Sequence, residues 1–581
     1  MKTVRFSLNF SIFLLFAIWH HAKSAVITTS LGKLNGDQTG PFHLFKNIPF
    51  AKPPLGNLRF QKPELPDKWQ GVRDAKEYGP ACLSNSSETQ SPQKWVDEDC
   101  LQLNIFTSDK CLTSKDCAVV VYVHGGAINY DSAVMFNDTF LLGTFVSRDV
   151  ILVIPAFRLG IFSHFVVQDQ NIAPSNLALY DIIHALEFVK REISNFGGNN
   201  KRVTFFGHSY GGSITSIMSF STKINQDLSL FQQVVSMSSP DQVDTLDFQI
   251  AKTRNFSRRA GCLLPPILAK KFSQNQQDLY SMKCLQKMDS LELLRIQREM
   301  EDEGHPKPEH LILRGPLLQE VPYHRIPNIP MLTGCTRSEL DTKVNFKSIA
   351  EVMGMENPKE VDAKYRKDLR EGNYDFQNHT DKTQTFIIQT KKRVEKLITN
   401  GVPAYLYEYT YPKHATHTDD LFYLMGVHRF EKDENEEHLS EIYRRIFTNF
   451  AKTGHPGEGF ELANLENSTY FDVFWDEKTG RRPQMRADFE KNILDYWFKD
   501  MVAYDKSISA AKKAQKHTPT ARFYSGTMPK YQYPYMYMTL LIIAMIFLTG
   551  CIVGRICCRG NRDLYIRLDG TDGGFHNVKG Y

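Results

Sequence analysis

The stretch from Val203 to Gly212 carries the residues best suited to chemistry, because a β-prone apolar run leads directly into Gly207-His208-Ser209-Tyr210-Gly211. The residues that follow, 213–218, favour a helix. A serine on a sharp turn between a strand and a helix is presented as a nucleophile. Such a turn strains the serine backbone, so the residues two positions away must be small, and both are glycine. The stretch therefore predicts a nucleophile elbow with Ser209 as the attacking residue.

A nucleophilic serine also needs hydrogen-bond donors for the negative charge that develops on the attacked carbonyl oxygen. His124-Gly125-Gly126-Ala127 follows the apolar run 118–123 directly. Small residues let a substrate approach the backbone closely, so main-chain N–H groups here are suited to an oxyanion hole. A glycine-rich turn without function is the alternative. We predict that the main-chain N–H groups of Gly126, Ala127 and Tyr210 form the hole.

Strand-like and helix-like segments alternate along the chain and indicate how these groups are positioned. Continuous apolar runs, typical of strands buried on both faces, occur at 118–123 and 150–154. Later strands are predicted at 329–333 and 404–410. Residues 177–196 show helical spacing of apolar residues, and the alternatives for the N-cap are Ser175 and Asn176. This alternation predicts an α/β fold with a mostly parallel sheet and helices on both faces.

Composition and net charge limit the kinds of molecule that the protein is expected to bind. The chain has 581 residues, of which 42% are hydrophobic, and a formal net charge of +5 at pH 7. It shows no internal repeat, no low-complexity segment and no basic stripe interleaved with aromatic residues. A charge this small for the length argues against nucleic acid as a partner. The hydrophobic content is sufficient for a large buried core.

Both ends of the chain carry apolar segments. Residues 1–24 combine a positive start, an apolar core and small residues, which is typical of a cleaved secretory signal peptide. Residues 535–556 are apolar enough and long enough to form a transmembrane helix. Arginines follow this helix at once, so the tail 557–581 is expected in the cytoplasm. The main domain, 25–504, is then lumenal or extracellular, with 505–534 as a juxtamembrane stalk.

The predicted tail contains Tyr565-Ile566-Arg567-Leu568, which resembles a tyrosine-based sorting signal read by a cytoplasmic adaptor. No lumenal retention sequence ends the chain. We therefore expect routing to endosomal or lysosome-like compartments, with the cell surface as the alternative. Cys557 and Cys558 are candidate palmitoylation sites.

Cysteines and glycosylation sequons fit a secretory route. The chain has ten cysteines, and the seven that precede the predicted membrane helix are an odd number, so at least one is unpaired. Disulfides are expected in an oxidising compartment. The acceptor sequons for N-glycosylation begin at Asn85, Asn137, Asn255, Asn378 and Asn467.

Several collinear blocks resemble the type-B carboxylesterase/cholinesterase family over nearly the whole segment between signal and stalk, and in particular its membrane-anchored nematode carboxylesterases. The blocks are Phe45 to Pro54 with Leu58-Arg59-Phe60, Glu98 to Asn104, Arg158-Leu159-Gly160, Asn176, Asp181 and Phe196-Gly197-Gly198. The resemblance implies an α/β-hydrolase fold, hydrolysis of small-molecule carboxylic esters, and no metal or organic cofactor.

The resemblance also implies a catalytic triad in the order serine, glutamate, histidine. Gly334 to Glu339 resembles the block that ends in the acid, so Glu339 is the expected acid and Asp341 the weaker alternative. His417 to Phe422 resembles the histidine block, with Asp420 where the family usually has glutamate. His414 lies close in sequence, but only His417 has the right downstream spacing.

Structural features follow from the same resemblance. The implied disulfides are Cys82–Cys100 and Cys262–Cys284, with Cys111 and Cys117 forming a small extra loop and Cys335 left as a buried thiol. Two buried ion pairs are implied, Arg59 with Glu98 and Arg158 with Asp181.

Three positions depart from the family pattern, and two alternative functions remain open. His208 and Tyr210 stand where the family commonly has glutamate and alanine, and Ala127 replaces a third glycine. A main-chain donor survives each change, so ester hydrolysis is expected to survive as well. The first alternative is transfer of the acyl group to an alcohol or sugar hydroxyl. The second is an adhesion or binding protein of the same fold, in which family members have lost the triad.

Overall fold

The structure of the protein is a computed structural model. It describes residues 26–84, 95–304, 312, 317–318, 326–340, 347–377, 379–517, 538–546 and 549. The chain divides into two compact units, residues 1–509 and 510–581. The first unit contains every strand given below.

The strands and helices of the described residues are numbered in chain order. The strands are β1 Val26–Thr28, β2 Lys33–Thr39, β3 Phe42–Pro49, β4 Val72–Ala75, β5 Ala81–Cys82, β6 Val96–Asp97, β7 Gln102–Ser108, β8 Cys117–Val123, β9 Val150–Pro155, β10 Gly198–His208, β11 Gln233–Met237, β12 Met331–Thr336, β13 Ala404–Tyr409, β14 Tyr470–Val473 and β15 Gln484–Arg486. The helices are α1 Asp109–Ser114, α2 Asp138–Thr144, α3 Gly160–His164, α4 Leu177–Glu192, α5 Tyr210–Phe220, α6 Leu246–Arg259, α7 Pro266–Ala269, α8 Gln274–Gln286, α9 Ser290–Asp302, α10 Ile349–Met353, α11 Pro358–Glu371, α12 Asp381–Thr399, α13 Asp419–Met425, α14 Glu434–Thr453, α15 Lys491–Asp495 and α16 Val502–His517.

Thirteen of these strands form one sheet in the order β1-β2-β3-β7-β9-β8-β10-β11-β12-β13-β14-β15, with β4 paired to β2. The strands from β9 to β14 in this order are all parallel, whereas β7 pairs with both β3 and β9 in antiparallel fashion. The remaining two, β5 and β6, form a small sheet of their own. The predicted mostly parallel sheet is confirmed.

Four of the central strands are buried along their whole length. Every residue of β8, β9, β12 and β13 is buried, as expected for parallel strands covered on both faces. Helix α5 packs on β10 and β11, α12 on β12 and β13, and α14 on β8, β9 and β10. This packing fixes the carboxyl ends of the central strands, where ligands bind in open α/β sheets.

The predicted elements are present with small shifts in their bounds. The helix expected over 177–196 is α4 followed by a 3-10 turn at Ile193–Phe196, and Asn176 is its N-cap residue. The strand expected over 329–333 begins only at Met331, because Pro330 has no N–H for the ladder. It continues to Thr336, since residues up to that point pair with β13.

Within the described residues the structure contains three disulfides, which are the two that the resemblance implies and the small extra loop expected between Cys111 and Cys117. They are Cys82–Cys100, Cys111–Cys117 and Cys262–Cys284. Cys335 is a buried free thiol, as expected. Burial, and then the nearby Glu339 carboxylate, raises the pKa of this thiol well above its usual value. It is therefore an uncharged core group of β12.

The predictions for the two ends of the chain remain predictions. The signal peptide 1–24 and the tail 557–581 lie outside the described residues. Among the residues that the structure does describe, no helix is long and apolar enough to cross a membrane. Within the predicted span 535–556, only 538–546 and 549 are described, and they are helical. The start of the predicted stalk lies in α16, where the Asp505 carboxylate is buried and accepts a hydrogen bond from the main-chain N–H of Asn357 at 2.8 Å.

Candidate active site

Ser209 lies on the turn between β10 and α5, in the strained conformation expected of a nucleophile elbow. Its backbone has φ 58° and ψ −128°, a combination that non-glycine residues rarely adopt. A Cβ atom at position 207 would lie 2.1 Å from the Gly211 carbonyl oxygen, and one at position 211 would lie 2.2 Å from the Val123 oxygen. Both glycines are therefore required for the turn to form.

The structure brings Ser209, His417 and Glu339 into one hydrogen-bonded chain. The Nε2 atom of His417 lies 2.8 Å from Ser209 Oγ, and its Nδ1 atom lies 2.5 Å from Glu339 Oε2. The second Glu339 oxygen accepts the main-chain N–H of Thr336 at 2.9 Å. The main-chain N–H of His417 donates to the Glu339 carbonyl oxygen at 2.7 Å. This geometry is that of a serine nucleophile, a histidine base and a carboxylate that orients the base.

The sheet explains why residues so distant in sequence meet. Ser209 follows β10, Glu339 lies just after β12, and His417 lies in the loop after β13. These strands are parallel, so their carboxyl ends lie at one edge of the sheet. Glu339 is buried, whereas Ser209 and His417 are partly exposed. The reacting atoms are therefore accessible to a substrate, and the orienting carboxylate is shielded from solvent.

The predicted oxyanion loop leaves β8 beside the nucleophile. A Cβ atom at Gly125 would lie 3.0 Å from Ser209 Cβ. Gly126 has φ 83°, and its carbonyl oxygen accepts main-chain N–H groups of Asn129 and Tyr130 at 2.8 and 3.0 Å. A tight turn of this kind directs successive N–H groups toward one side of the loop. Ala127 also has positive φ, at 54°.

His124, at the start of this loop, is a neutral structural residue. It is buried and stacked on Phe157, with ring centroids 4.4 Å apart. Burial lowers the pKa of His124 to about 4. Its Nδ1 atom lies 3.0 Å from the Gly125 carbonyl oxygen. The imidazole therefore fixes the loop and carries no charge near neutral pH.

His208 has a role that the sequence did not reveal. Its Nε2 atom lies 2.8 Å from the main-chain carbonyl oxygen of His417, and the two rings are 4.9 Å apart. Burial, followed by the nearby His417, lowers the pKa of His208 well below its usual value. His208 is therefore neutral and donates a hydrogen bond that ties the histidine loop to the elbow. Nothing in the sequence signalled this contact, because the partner is a main-chain atom.

Asp420, which replaces the usual family glutamate, is buried and uncharged. Burial, with a further contribution from the Glu339 carboxylate, raises the pKa of Asp420 well above its usual value. Tyr443 donates a hydrogen bond to Asp420 Oδ2 at 3.0 Å. Because Asp420 holds its proton, it adds no negative charge beside Glu339.

Two buried ion pairs were predicted in the same domain as the site. The predicted pairs are present, with Arg59 Nε 2.6 Å from Glu98 Oε1 and Arg158 Nη2 2.7 Å from Asp181 Oδ1. A further buried guanidinium was not predicted.

That guanidinium belongs to Arg393 on α12. It donates to Asp241 Oδ2 at 2.8 Å, to Thr333 Oγ1 at 2.8 Å and to the Ser239 carbonyl oxygen at 2.9 Å. Arg393 thereby joins β12 to the chain segment that follows β11. Arg393 follows Lys391 and Lys392 on an amphipathic helix, and a basic run of this kind gives no sequence signal for such a contact.

The other candidate residues lie elsewhere or outside the described residues. His414 contacts Glu436, with Nδ1 2.6 Å from Oε1, and stacks on Phe430. Asp341, Asn85 and Asn378 lie outside the described residues. Asn137 and Asn467 are exposed and Asn255 is half-buried. Within the described part of the chain, no group of three or more His, Cys, Asp and Glu side chains is arranged to hold a metal ion.

Comparison with known proteins identifies the class. The profile of the Carboxylesterase family matches residues 23–497. Mouse liver carboxylesterase 1 is 27% identical over 513 residues, which cover 76% of this chain and 88% of the mouse protein. Dog carboxylesterase 5A is 28% identical over 561 residues, which cover 84% of this chain and 91% of the dog protein. Esterase cest-33 of Caenorhabditis elegans is 29% identical over 540 residues, which cover 81% of this chain and 93% of the nematode protein.

A solved structure shows the same fold. PNB esterase has a TM-score of 0.66 and 23% sequence identity, with 81% of this chain and 99% of that chain covered. The fold and the family match together define a carboxylic-ester hydrolase of the α/β-hydrolase type. The chain belongs to the carboxylesterase family.

Proposed function

We propose that the protein hydrolyses small carboxylic esters through a Ser209-His417-Glu339 triad and an acyl-enzyme intermediate. The observation that carries the proposal is the continuous hydrogen-bonded chain from Ser209 Oγ through both His417 ring nitrogens to Glu339. Family membership supports the ester as substrate class. The position of this chain at the carboxyl edge of the sheet is that of ligand sites in open α/β folds.

In the proposed reaction, His417 accepts the Ser209 proton as Oγ attacks the ester carbonyl carbon. Glu339 holds the imidazole in the tautomer with Nδ1 protonated and stabilises the imidazolium that forms. Main-chain N–H groups of Gly126, Ala127 and Tyr210 would receive the oxyanion, and each such donor contributes about 3 kcal/mol. The imidazolium then protonates the leaving alcohol. A water molecule activated by His417 releases the acid and regenerates Ser209.

Water is the proposed acceptor, with acyl transfer to an alcohol or sugar hydroxyl as the alternative. Partial exposure of Ser209 and His417 supports access by water. The bulk that His208 and Tyr210 add beside the nucleophile lies inside the fold, since the two residues are only 2% and 4% exposed. Side chains this deeply buried offer little surface for binding an acceptor alcohol.

An adhesion protein of the same fold would have no need of the triad. In this protein the His417 ring is within hydrogen-bonding distance of both Ser209 and Glu339, and the Glu339 carboxylate is buried while Ser209 and His417 are partly exposed. These two features favour the enzyme over the binding protein.

The proposal is tested with the purified full chain and chromogenic short-chain esters, comparing wild type with Ser209→Ala. We expect kcat to fall by at least about a thousandfold in the variant, because the nucleophile is lost. Mass spectrometry of products in the presence of a panel of alcohols and glycosides then separates free acid from acylated acceptor. Comparable turnover by Ser209→Ala would refute the serine mechanism, and acylated glycoside as the main product would establish the alternative acceptor.

The cellular location is a separate proposal. We infer a single-pass protein with its catalytic domain in the lumen or outside the cell, routed by Tyr565 to Leu568 through a sorting adaptor. Three disulfides support an oxidising compartment. Protease protection of an epitope tag on the tail in sealed microsomes tests the topology. A tag cleaved only after detergent treatment would contradict it.

A further inference from the structure

The disulfide-closed hairpin between Cys262 and Cys284 presents apolar side chains to solvent. Ile267 is 79% exposed, the largest exposed fraction among the large apolar residues that the structure describes. Leu268 and Phe272 are 42% and 43% exposed, and Leu263 is 36% exposed. A cluster of exposed apolar side chains on one short loop marks an interaction surface. We call residues 263–272 the apolar tip.

Hydrogen bonds and a disulfide hold the apolar tip in one conformation. Its apolar side chains are therefore held in solvent and are not free to fold back onto the protein. Gln277 of α8 donates to the carbonyl oxygens of Ala269 and Phe272 at 3.0 and 3.1 Å. Main-chain hydrogen bonds of 2.8 and 2.9 Å close the turns at Lys271 and Leu268. The disulfide joins the two arms of the hairpin.

The charge of the apolar tip indicates the kind of partner that it binds. Lys270 and Lys271 are exposed on the apolar tip, between Leu268 and Phe272. Neither ammonium forms an ion pair within the part of the chain that the structure describes. Segment 261–288 contains four lysines against one carboxylate, and that carboxylate, Asp278, is buried. The tip therefore combines a positive charge with protruding apolar groups.

This combination fits an anionic lipid surface better than a protein. Apolar side chains that enter the interface while lysines contact charged headgroups are the usual features of peripheral membrane binding. Lysine is depleted at the core of protein interfaces. A symmetric contact with a second copy would bring the same lysines together, which is unfavourable. We propose that the apolar tip docks on an anionic lipid surface. This proposal is independent of the predicted span 535–556.

The test uses the full chain in lipid nanodiscs, with Ile267→Cys carrying an environment-sensitive NBD fluorophore and Cys551, Cys557 and Cys558 replaced by serine. We expect a blue-shifted emission that doxyl-labelled lipid quenches, stronger in discs with phosphatidylserine than in discs of phosphatidylcholine alone. The matched control places the probe at Leu462, which is 52% exposed beside the exposed Glu461. That probe should not respond to lipid.

Two variants measure how much the lysines and the apolar side chains contribute to docking. Lys270→Gln with Lys271→Gln should lower the docked-to-undocked ratio about thirtyfold, since each lysine near an anionic surface contributes about a factor of five. Phe272→Ser should lower it about tenfold through lost apolar burial. Unchanged turnover of a short-chain ester confirms that each variant is folded.

The results of these measurements distinguish binding to an anionic lipid surface from contact with a second copy of the chain. The proposal is overturned if the probe at Ile267 emits with the same spectrum in both kinds of disc and in detergent. It is also overturned if doxyl-labelled lipid quenches the probe equally in the two kinds of disc. A blue shift that appears without lipid and grows with protein concentration also overturns it, and assigns the apolar tip to a contact between copies.

Discussion

The buried pair of Arg158 and Asp181 gives a stability prediction that can be worked from the structure. The Asp181 carboxylate is fully buried and accepts three hydrogen bonds from Arg158, from its main-chain N at 3.0 Å, Nε at 2.9 Å and Nη2 at 2.7 Å. Arg158→Met removes two of these donors and the positive charge. The remaining carboxylate is then buried without a counter-ion, which costs about 3–5 kcal/mol in the free energy of unfolding.

A second variant identifies the cause. In Arg158→Met combined with Asp181→Asn no charge is left, and the amide oxygen of the new asparagine side chain can still accept the main-chain N–H of residue 158. Most of the loss should therefore be recovered, leaving a deficit of about 1–2 kcal/mol for the missing hydrogen bonds. Equilibrium urea unfolding, followed by tryptophan fluorescence and ester hydrolysis, measures both. If the double variant is as unstable as Arg158→Met, the stranded charge is not the cause; a loss under about 1 kcal/mol in the single variant would refute burial of the pair.

Three further changes test the site. Glu339→Gln should lower kcat about 10⁴-fold with KM little changed, because the amide neither fixes the tautomer nor stabilises the imidazolium; a loss under tenfold in steady-state kinetics would contradict this. His208→Phe should lower kcat about tenfold by removing the donor to the His417 carbonyl, while His208→Gln retains activity; equal rates for both would argue against positioning. Burial raises the pKa of Asp131 from 3.8 to about 7, so the folded protein holds this proton and loses stability as pH rises from about 4 to 7. Asp131→Asn should therefore gain stability over wild type across that window, by up to about 4 kcal/mol in urea unfolding, and a gain independent of pH would contradict the assignment.

Local sequence patterns predicted the parts of the fold in which local chemistry decides the structure. Runs 118–123 and 150–154 predicted buried strands, because parallel strands covered on both faces select apolar residues at every position. The elbow followed from glycine spacing around Ser209, which the backbone geometry there requires. By contrast, β10 begins at Gly198 rather than near Val203. Its polar start, 199–202, gives no apolar signal. Gly198 pairs with Cys117 of β8, and the register then shifts before pairing resumes at Val203.

Features that depend on long-range contacts required the structure. The resemblance supplied Glu339 and His417, since a loop carboxylate and a loop histidine show no pattern of their own. The contact of His208 with a main-chain atom, and the convergence of Arg393 on the segment after β11, are set by tertiary packing. The neutral state of Asp420 depends on burial, which a residue type alone does not predict.

Covalent labelling tests the central claim most directly. The full chain is treated with a fluorophosphonate, which reacts with an activated serine, and the modified peptide is identified by mass spectrometry in wild type and in Ser209→Ala. The proposed mechanism predicts one stoichiometric adduct on the peptide containing Ser209, its absence in Ser209→Ala, and much slower formation in His417→Ala. Equal labelling of wild type and Ser209→Ala, or an adduct on another residue that accompanies loss of activity, would contradict the assignment of Ser209 as the nucleophile.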